Sequence, residues 1–309
     1  MMTMTLVSYY TILLLLLVPR VLGYIGWPGD GTIVAGNAVQ FDRETWEANL
    51  ARPNATGSNS VVGFDVSTPW PSTQVDGWQL GINITRDIPD SEIMNPSNAT
   101  GKTFTGTSIF LKAPANLQST FSTQTAIDET TWKICVIFIS DAPQENVTDA
   151  AEDGNCPILS AQCVTDLEDA YSAKFAGNLD CYGTPPTTPS SCGSGINTGA
   201  FNRQQMPLDS INGTEVYVTA SELHEPGNET VWNDAVKKTW PVLTIWGWNP
   251  RANASEDALP TVQLSCVTAT EVEPEPEPGS TGPNSAGSKS CYSMPFALVI
   301  ACVVGYILL

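Results

Sequence analysis

Gly77 to Thr85, GWQLGINIT, is the stretch that decides the fold class. Trp78, Leu80, Ile82 and Ile84 fall on one face at a period of two, with Gln79, Asn83 and Thr85 on the other, as in a half-buried β-strand. Asn83 also opens an Asn-Ile-Thr sequon, so the glycan acceptor and the polar face coincide. The run WKICVIFIS, Trp132 to Ser140, is apolar on both phases and reads as a central strand covered on two sides.

Outward from these runs, short apolar stretches alternate with clusters of Gly, Pro, Asn, Asp and Ser. Further strands are expected near Thr32 to Phe41, Ser60 to Val66, Phe104 to Leu111, Thr214 to Thr219, Pro241 to Trp246 and Thr261 to Val267. Seven or eight strands joined by turns predict a mainly β chain, an antiparallel β-sandwich. A small helical insertion, at about 141–200, interrupts it. Within CVTDLEDAYSAKF, Thr165 and Glu168 form a Thr-x-x-Glu capping box, and Leu167, Ala170, Tyr171 and Lys174 follow at helical spacing. Asn228 caps a second expected helix, with Trp232, Val236 and Trp240 on one side.

Both ends of the 309-residue chain are apolar. Residues 1–23 read as a secretory signal peptide, VSYYTILLLLLV leading to small residues at Val21, Leu22 and Gly23. At the other end MPFALVIACVVGYILL, Met294 to Leu309, rises only about 24 Å as a helix, against about 30 Å of hydrocarbon. No Lys or Arg follows it. Small residues from Asn284 to Gly287 precede a short polar spacer, the pattern of a GPI-anchor signal with attachment at Asn284 or Ser285. The expected organisation is a signal peptide at 1–23, an extracellular β-rich domain at 24–270, a Glu/Pro-rich stalk at 271–284 and a removed anchor propeptide at 285–309. The alternating EVEPEPEP of the stalk favours an extended, semi-rigid chain.

A secreted chain oxidises its thiols. With Cys291 and Cys302 removed, Cys135, Cys156, Cys163, Cys181, Cys192 and Cys266 remain, an even set for three disulfides. Cys135 and Cys266 lie in runs that read as buried strands and are expected to pair, with the other four pairing locally. Seven sequons, at Asn54, Asn83, Asn98, Asn146, Asn212, Asn228 and Asn253, predict surface N-glycosylation.

Between the processed ends, 11 basic residues face 32 acidic ones, a net charge near −21. Nucleic acid is excluded as a partner, and so is docking on anionic lipid through clustered cations. The membrane partner is the glycolipid anchor itself.

Reacting groups are scarce. His224 is the sole histidine and reads as a surface-loop residue in SELHEPGNE, so zinc sites built from several imidazoles are excluded. No Gly-x-Ser-x-Gly elbow accompanies it. Copper oxygenases that begin with histidine are excluded as well, because the expected first mature residue is Tyr24. The acidic stretch from Asp141 to Asp153 lacks the spacing of a calcium loop, and GDGTIVAG, Gly29 to Gly36, reads as a turn before a strand. Asp65, Asp76, Glu215 and Asp234 are the carboxylates with apolar flanks that a glycoside hydrolase would need as a pair. No cofactor and no metal site is expected. Trp246 and Trp248 share one face of their run and are the candidate sugar-binding indoles, the other reading being that this face is the sandwich core.

Together with the two processed ends, CPILSAQCVTDLEDAYSAKFAGNLDC, Cys156 to Cys181, and the Pro/Ser-rich stretch to Cys192 resemble a group of ascomycete fungal secreted, GPI-anchored cell-surface proteins with a cysteine-flanked helical module. The resemblance implies a location at the outer plasma membrane or cell wall and transfers no catalytic positions. The resulting expectation is a non-enzymatic surface or wall protein, glycan-binding or adhesive, that meets cell-wall polysaccharide. The alternative is a wall-remodelling carbohydrate-active hydrolase using paired carboxylates.

Overall fold

The computed structural model describes residues 32–35, 39–94, 101–118, 131–139, 155–193, 196, 201–205, 212–249, 252, 254–255 and 257–271. The expected signal peptide, the stalk beyond Glu271, the anchor segment with Asn284 and Ser285, and the sequons at Asn98, Asn146 and Asn253 lie outside these residues.

A hairpin of β1 (Thr32–Ala35) and β2 (Val39–Asp42) leads into helix α1 (Arg43–Leu50). Next come β3 (Ala55–Ser60), β4 (Gln79–Pro89), β5 (Thr103–Lys112) and β6 (Trp132–Ile139). Helix α2 (Ala161–Lys174) precedes β7 (Phe201–Gln205) and β8 (Asn212–Ala220). Helix α3 (Glu229–Lys237), β9 (Trp240–Trp248), β10 (Thr261–Val267) and β11 (Thr270–Glu271) complete the described order.

Two antiparallel sheets result, ordered β11-β3-β4-β5-β8 and β10-β9-β6-β7. Their facing surfaces share one core. Leu80, Ile82, Ile84, Ile109 and Leu111 come from the first sheet, and Ile134, Val136, Phe138, Val242, Trp246 and Val267 from the second. The period-two pattern of Gly77 to Thr85 is thus the inner face of β4, and the sandwich is as expected. Only Thr268 and Ala269 separate the end of β10 in one sheet from the start of β11 in the other. Gly57 admits this crossing: a β-carbon there would lie 1.9 Å from the carbonyl oxygen of Thr268.

The outer face of the four-stranded sheet has its own core. Cys135, Ile137 and Ile139 of β6, with Leu243, Ile245, Leu264 and Cys266, pack against Leu167, Tyr171 and Phe175 of the helical insertion. Strand β6 is apolar on both phases because each phase enters a different core. Leu167 and Tyr171 are spaced i, i+4 from Cys163, the stripe that α2 buries. Fully burying a side chain of this size contributes about 1.5–3 kcal/mol. On the opposite flank, α1 sets Trp46 and Leu50 with Phe41 against Ile88, Phe104 and Val218 of the five-stranded sheet.

Four expectations need correction. The disulfides are Cys135–Cys181, Cys156–Cys266 and Cys163–Cys192. Cys135 cannot reach Cys266, because β9 lies between β6 and β10. Two strand spacings are about 9.5 Å, beyond the roughly 4.4–6.8 Å that a disulfide bridges. Helix α2 begins earlier than its expected box: Ser160 is the cap, its hydroxyl accepting the Cys163 N–H at 3.1 Å. Thr165 is inside the helix, and Glu168 turns to Leu264 instead. The expected strand at Ser60 to Val66 divides into the end of β3 and the first arm of a hairpin over 61–78. The expected single strand at Thr32 to Phe41 is the β1–β2 hairpin.

Candidate functional site

The 61–78 hairpin closes one end of the sandwich. Val61 N–H donates to Trp78 O, Val75 N–H to Gly63 O and Asp65 N–H to Thr73 O, and Phe64 bridges to Gln74. Its tip carries a cis Trp70–Pro71 peptide. Trp70, half-buried, lies 4.7 Å from Trp248 by ring centroids, and Trp132 Nε1 donates to Thr68 O at 2.8 Å. Beneath the tip, Trp246 meets Trp78 edge-on at 4.8 Å, with Phe64 at 5.8 Å and Trp132 at 6.5 Å.

This geometry places the two candidate sugar-binding indoles. Trp246 and Trp248 are 1 % and 2 % exposed, and the residues of β9 that share their face, Trp240, Val242 and Thr244, are buried too. They form core, not a solvent-facing platform. The physical reason is that this face of β9 looks at the opposing sheet, and the hairpin covers what the sheet leaves open. The signal for that cover, the turn-rich STPWPS between two apolar runs, is visible at Ser67–Ser72.

The other end is closed by the 221–228 loop and α3. His224 is 7 % exposed, so the expected surface-loop residue is a buried one. Its backbone pairs with Thr103 in both directions, at 2.9 and 3.0 Å, which turns the ring inward. Nδ1 donates to the Glu225 carbonyl at 2.9 Å, and Nε2 shares a hydrogen bond with the Thr105 hydroxyl at 3.2 Å. Both nitrogens are therefore committed to holding the loop. Asp87, at φ 58° in the β4 bulge, accepts the Gly227 N–H at 2.9 Å and fixes the same loop. Arg86 bridges to Glu229 at 2.9 Å and to Asp87 at 3.2 Å, and stacks 5.2 Å over Trp232. The hydrogen bond that Arg86 donates to Glu229 leads the causes that hold its guanidinium above its ordinary pKa.

The candidate carboxylates are not brought together as one group. Asp65 is spent in its turn, accepting the Ser67 N–H at 3.1 Å. Asp76 is exposed in the hairpin, while Asp234 is exposed on α3, at the opposite end of β4. Glu215 stands in β8 opposite Phe110. Among the described residues, no group of three or more His, Cys, Asp or Glu side chains is arranged to hold a metal ion. Also among them, no helix is long and apolar enough to cross a membrane.

Four sequon asparagines are described, and two show a shared geometry. Asn54 Oδ1 accepts the Arg86 N–H at 3.0 Å, and Asn228 Oδ1 accepts the N–H groups of Thr230 and Val231 at 3.1 and 3.3 Å. The donors are backbone N–H groups, so oxygen must be the accepting atom and the amide nitrogen is left for a sugar. Asn228 is also the N-cap of α3, as expected, but the helix ends at Lys237 and Trp240, expected on its face, instead begins β9. Asn83 is partly exposed on the outer face of β4, and Asn212 opens β8 opposite Lys112.

Around the insertion, the Asp166 carboxyl is held below the usual range by the Ser191 hydroxyl at 2.6 Å and by Gln162. Glu168 is held above it, burial outweighing the hydrogen bond from Leu264. The chain matches no protein-family model, no curated protein and no solved structure. What its fold defines is a disulfide-bonded, mainly β sandwich with a helical insertion sealed onto one sheet.

Proposed function

We propose that this chain is a non-enzymatic, N-glycosylated surface module, secreted and held on the outer plasma membrane or cell wall by a glycolipid at Asn284 or Ser285. The observation that carries the reading is the set of three disulfides at the 155–193 insertion, two binding it to the sandwich and Cys163–Cys192 closing within it, an arrangement that an oxidising compartment sustains. The resemblance of the Cys156–Cys192 run to fungal surface proteins supports the same location. The free amide nitrogens of Asn54 and Asn228 support glycosylation. Both ends of the sandwich are plugged by packed side chains, which favours a display or adhesive role through the outer surface over turnover in a cleft.

Phosphatidylinositol-specific phospholipase C applied to intact expressing cells is expected to release the protein. Peptides from Phe296 to Leu309 in the mature surface form would overturn the anchor. On arrays of glucan, chitin and mannan, retention without release of reducing sugar supports the surface role. Sugar release abolished by a single Asp or Glu substitution would overturn it.

A further inference from the structure

We infer that Phe110 is a seat for the first sugar of an N-glycan on Asn83, so that this glycan is packed against the protein and stabilises it. The inference rests on the glycosylation proposed above and adds a binding partner for the sugar within the chain.

Phe110 of β5 stands opposite Gly81 of β4, and Asn83 opposite Ser108, all on the outer face of the five-stranded sheet. The Phe110 ring does not stand upright. It leans across the strand pair until its tip covers Gly81: a β-carbon on Gly81 would lie 2.3 Å from Cζ and 2.4 Å from Cε2. Glycine at 81 is what allows the ring to lie down. Asn83 is the next residue along that face, about 7 Å away, and Phe110 is its diagonal cross-strand neighbour. Such a diagonal is within reach of aromatic and long side chains, and an asparagine extended by N-acetylglucosamine is long. Phe110 is partly exposed and belongs to none of the three buried clusters, so its ring offers a face that no described core consumes. Sugars stack their C–H faces on such rings. On the other side of Asn83, the Trp46 ring of α1 closes over Gly106, Cη2 being 3.1 Å from where a β-carbon would stand. Trp46 is itself fully buried, so Phe110 is the ring beside the acceptor that keeps an open face.

The test uses the full chain from a glycosylating eukaryotic host, with Asn83→Gln, Phe110→Leu and their combination, read by thermal melting and glycopeptide mass spectrometry. Asn83→Gln is expected to lower Tm by about 2–4 °C. The same substitution in the Phe110→Leu background is expected to lower it no further. Trimming the glycan to one N-acetylglucosamine should preserve the full Tm, and the protons of that sugar should show a ring-current upfield shift lost in Phe110→Leu. Phe110→Trp keeps a ring and should keep the coupling, which separates stacking from simple loss of packing. Occupied Asn83 with equal Tm losses in both backgrounds and no upfield shift would overturn the stacking alone. Unmodified Asn83 would overturn it together with the glycosylation assigned to this position.

Discussion

Glu168 Oε1 accepts the backbone N–H of Leu264 at 2.8 Å, so a side chain from the middle of α2 occupies the open edge of strand β10. An edge N–H that faces a helix has lost its water, and the carboxylate replaces it. Burial raises the Glu168 pKa despite this hydrogen bond, and Asp169 adds to the rise. A raised folded-state pKa means that the contribution of this group to stability is fully present below the usual glutamate value of 4.5 and declines as pH rises through the folded value. Glu168→Gln keeps an acceptor and removes the charge. Its urea midpoint is expected to equal or exceed that of the wild type at pH 7, with a flatter profile from pH 4.5 upward. Glu168→Leu, which strands the Leu264 N–H, is expected to cost about 1–3 kcal/mol at either pH.

The three bridges close loops of different size. Cys156–Cys266 spans 110 residues and Cys163–Cys192 spans 29. In the chain-entropy account this difference corresponds to about 1 kcal/mol. Replacing both Cys156 and Cys266 by Ala is therefore expected to lower stability by about 1 kcal/mol more than replacing Cys163 and Cys192. Denaturant melts of the two double variants measure the gap, and non-reducing peptide maps identify the pairs directly.

Gly57→Ala places a methyl group into the Thr268 carbonyl, a backbone atom that moves only if the crossing between sheets moves. A loss of about 3 kcal/mol is expected, the upper part of the range for overpacking. Gly101 offers a contrast, with nothing within 4 Å of a β-carbon but a φ of +80°. Gly101→Ala is expected to cost only about 1–2 kcal/mol, through backbone strain. Equal Tm losses in the two variants would contradict the steric account.

Trp246→Ala removes a fully buried indole from the aromatic end and is expected to cost about 3–5 kcal/mol. Any glycan retention by this protein should fall only in proportion to the folded fraction. A well-folded Trp246→Ala variant that no longer binds would return this indole to the role of a ligand contact.

Alternation made much of the sandwich readable, since Leu80, Ile82 and Ile84 point one way in any register. The run from Trp132 to Ser140 announced a strand covered twice, though not what covered it. The disulfide pairing was not legible, because it depends on strand order: Cys135 and Cys266 are both buried on one face, and only the intervening β9 separates them. Helix α1 was hidden because Asp42 ends β2 and also caps the helix, its carboxylate accepting the Thr45 N–H at 3.1 Å, so no turn signal intervenes. The face carrying Trp246 and Trp248 was correctly paired by periodicity, but its burial depended on a hairpin about 170 residues earlier.

The Cys156–Cys266 bridge lies just inside β11, and this gives the domain a mechanical stop. Tension applied beyond Glu271 would first peel the two-residue β11 from β3, a short and weakly held ladder. The next element to bear load is β10, whose penultimate residue, Cys266, is bonded to Cys156. Under oxidising conditions the load passes from Cys266 directly to Cys156, so residues 157–265 are bypassed and cannot be drawn out; after reduction, the same pull enters β10 first and then the strands behind it.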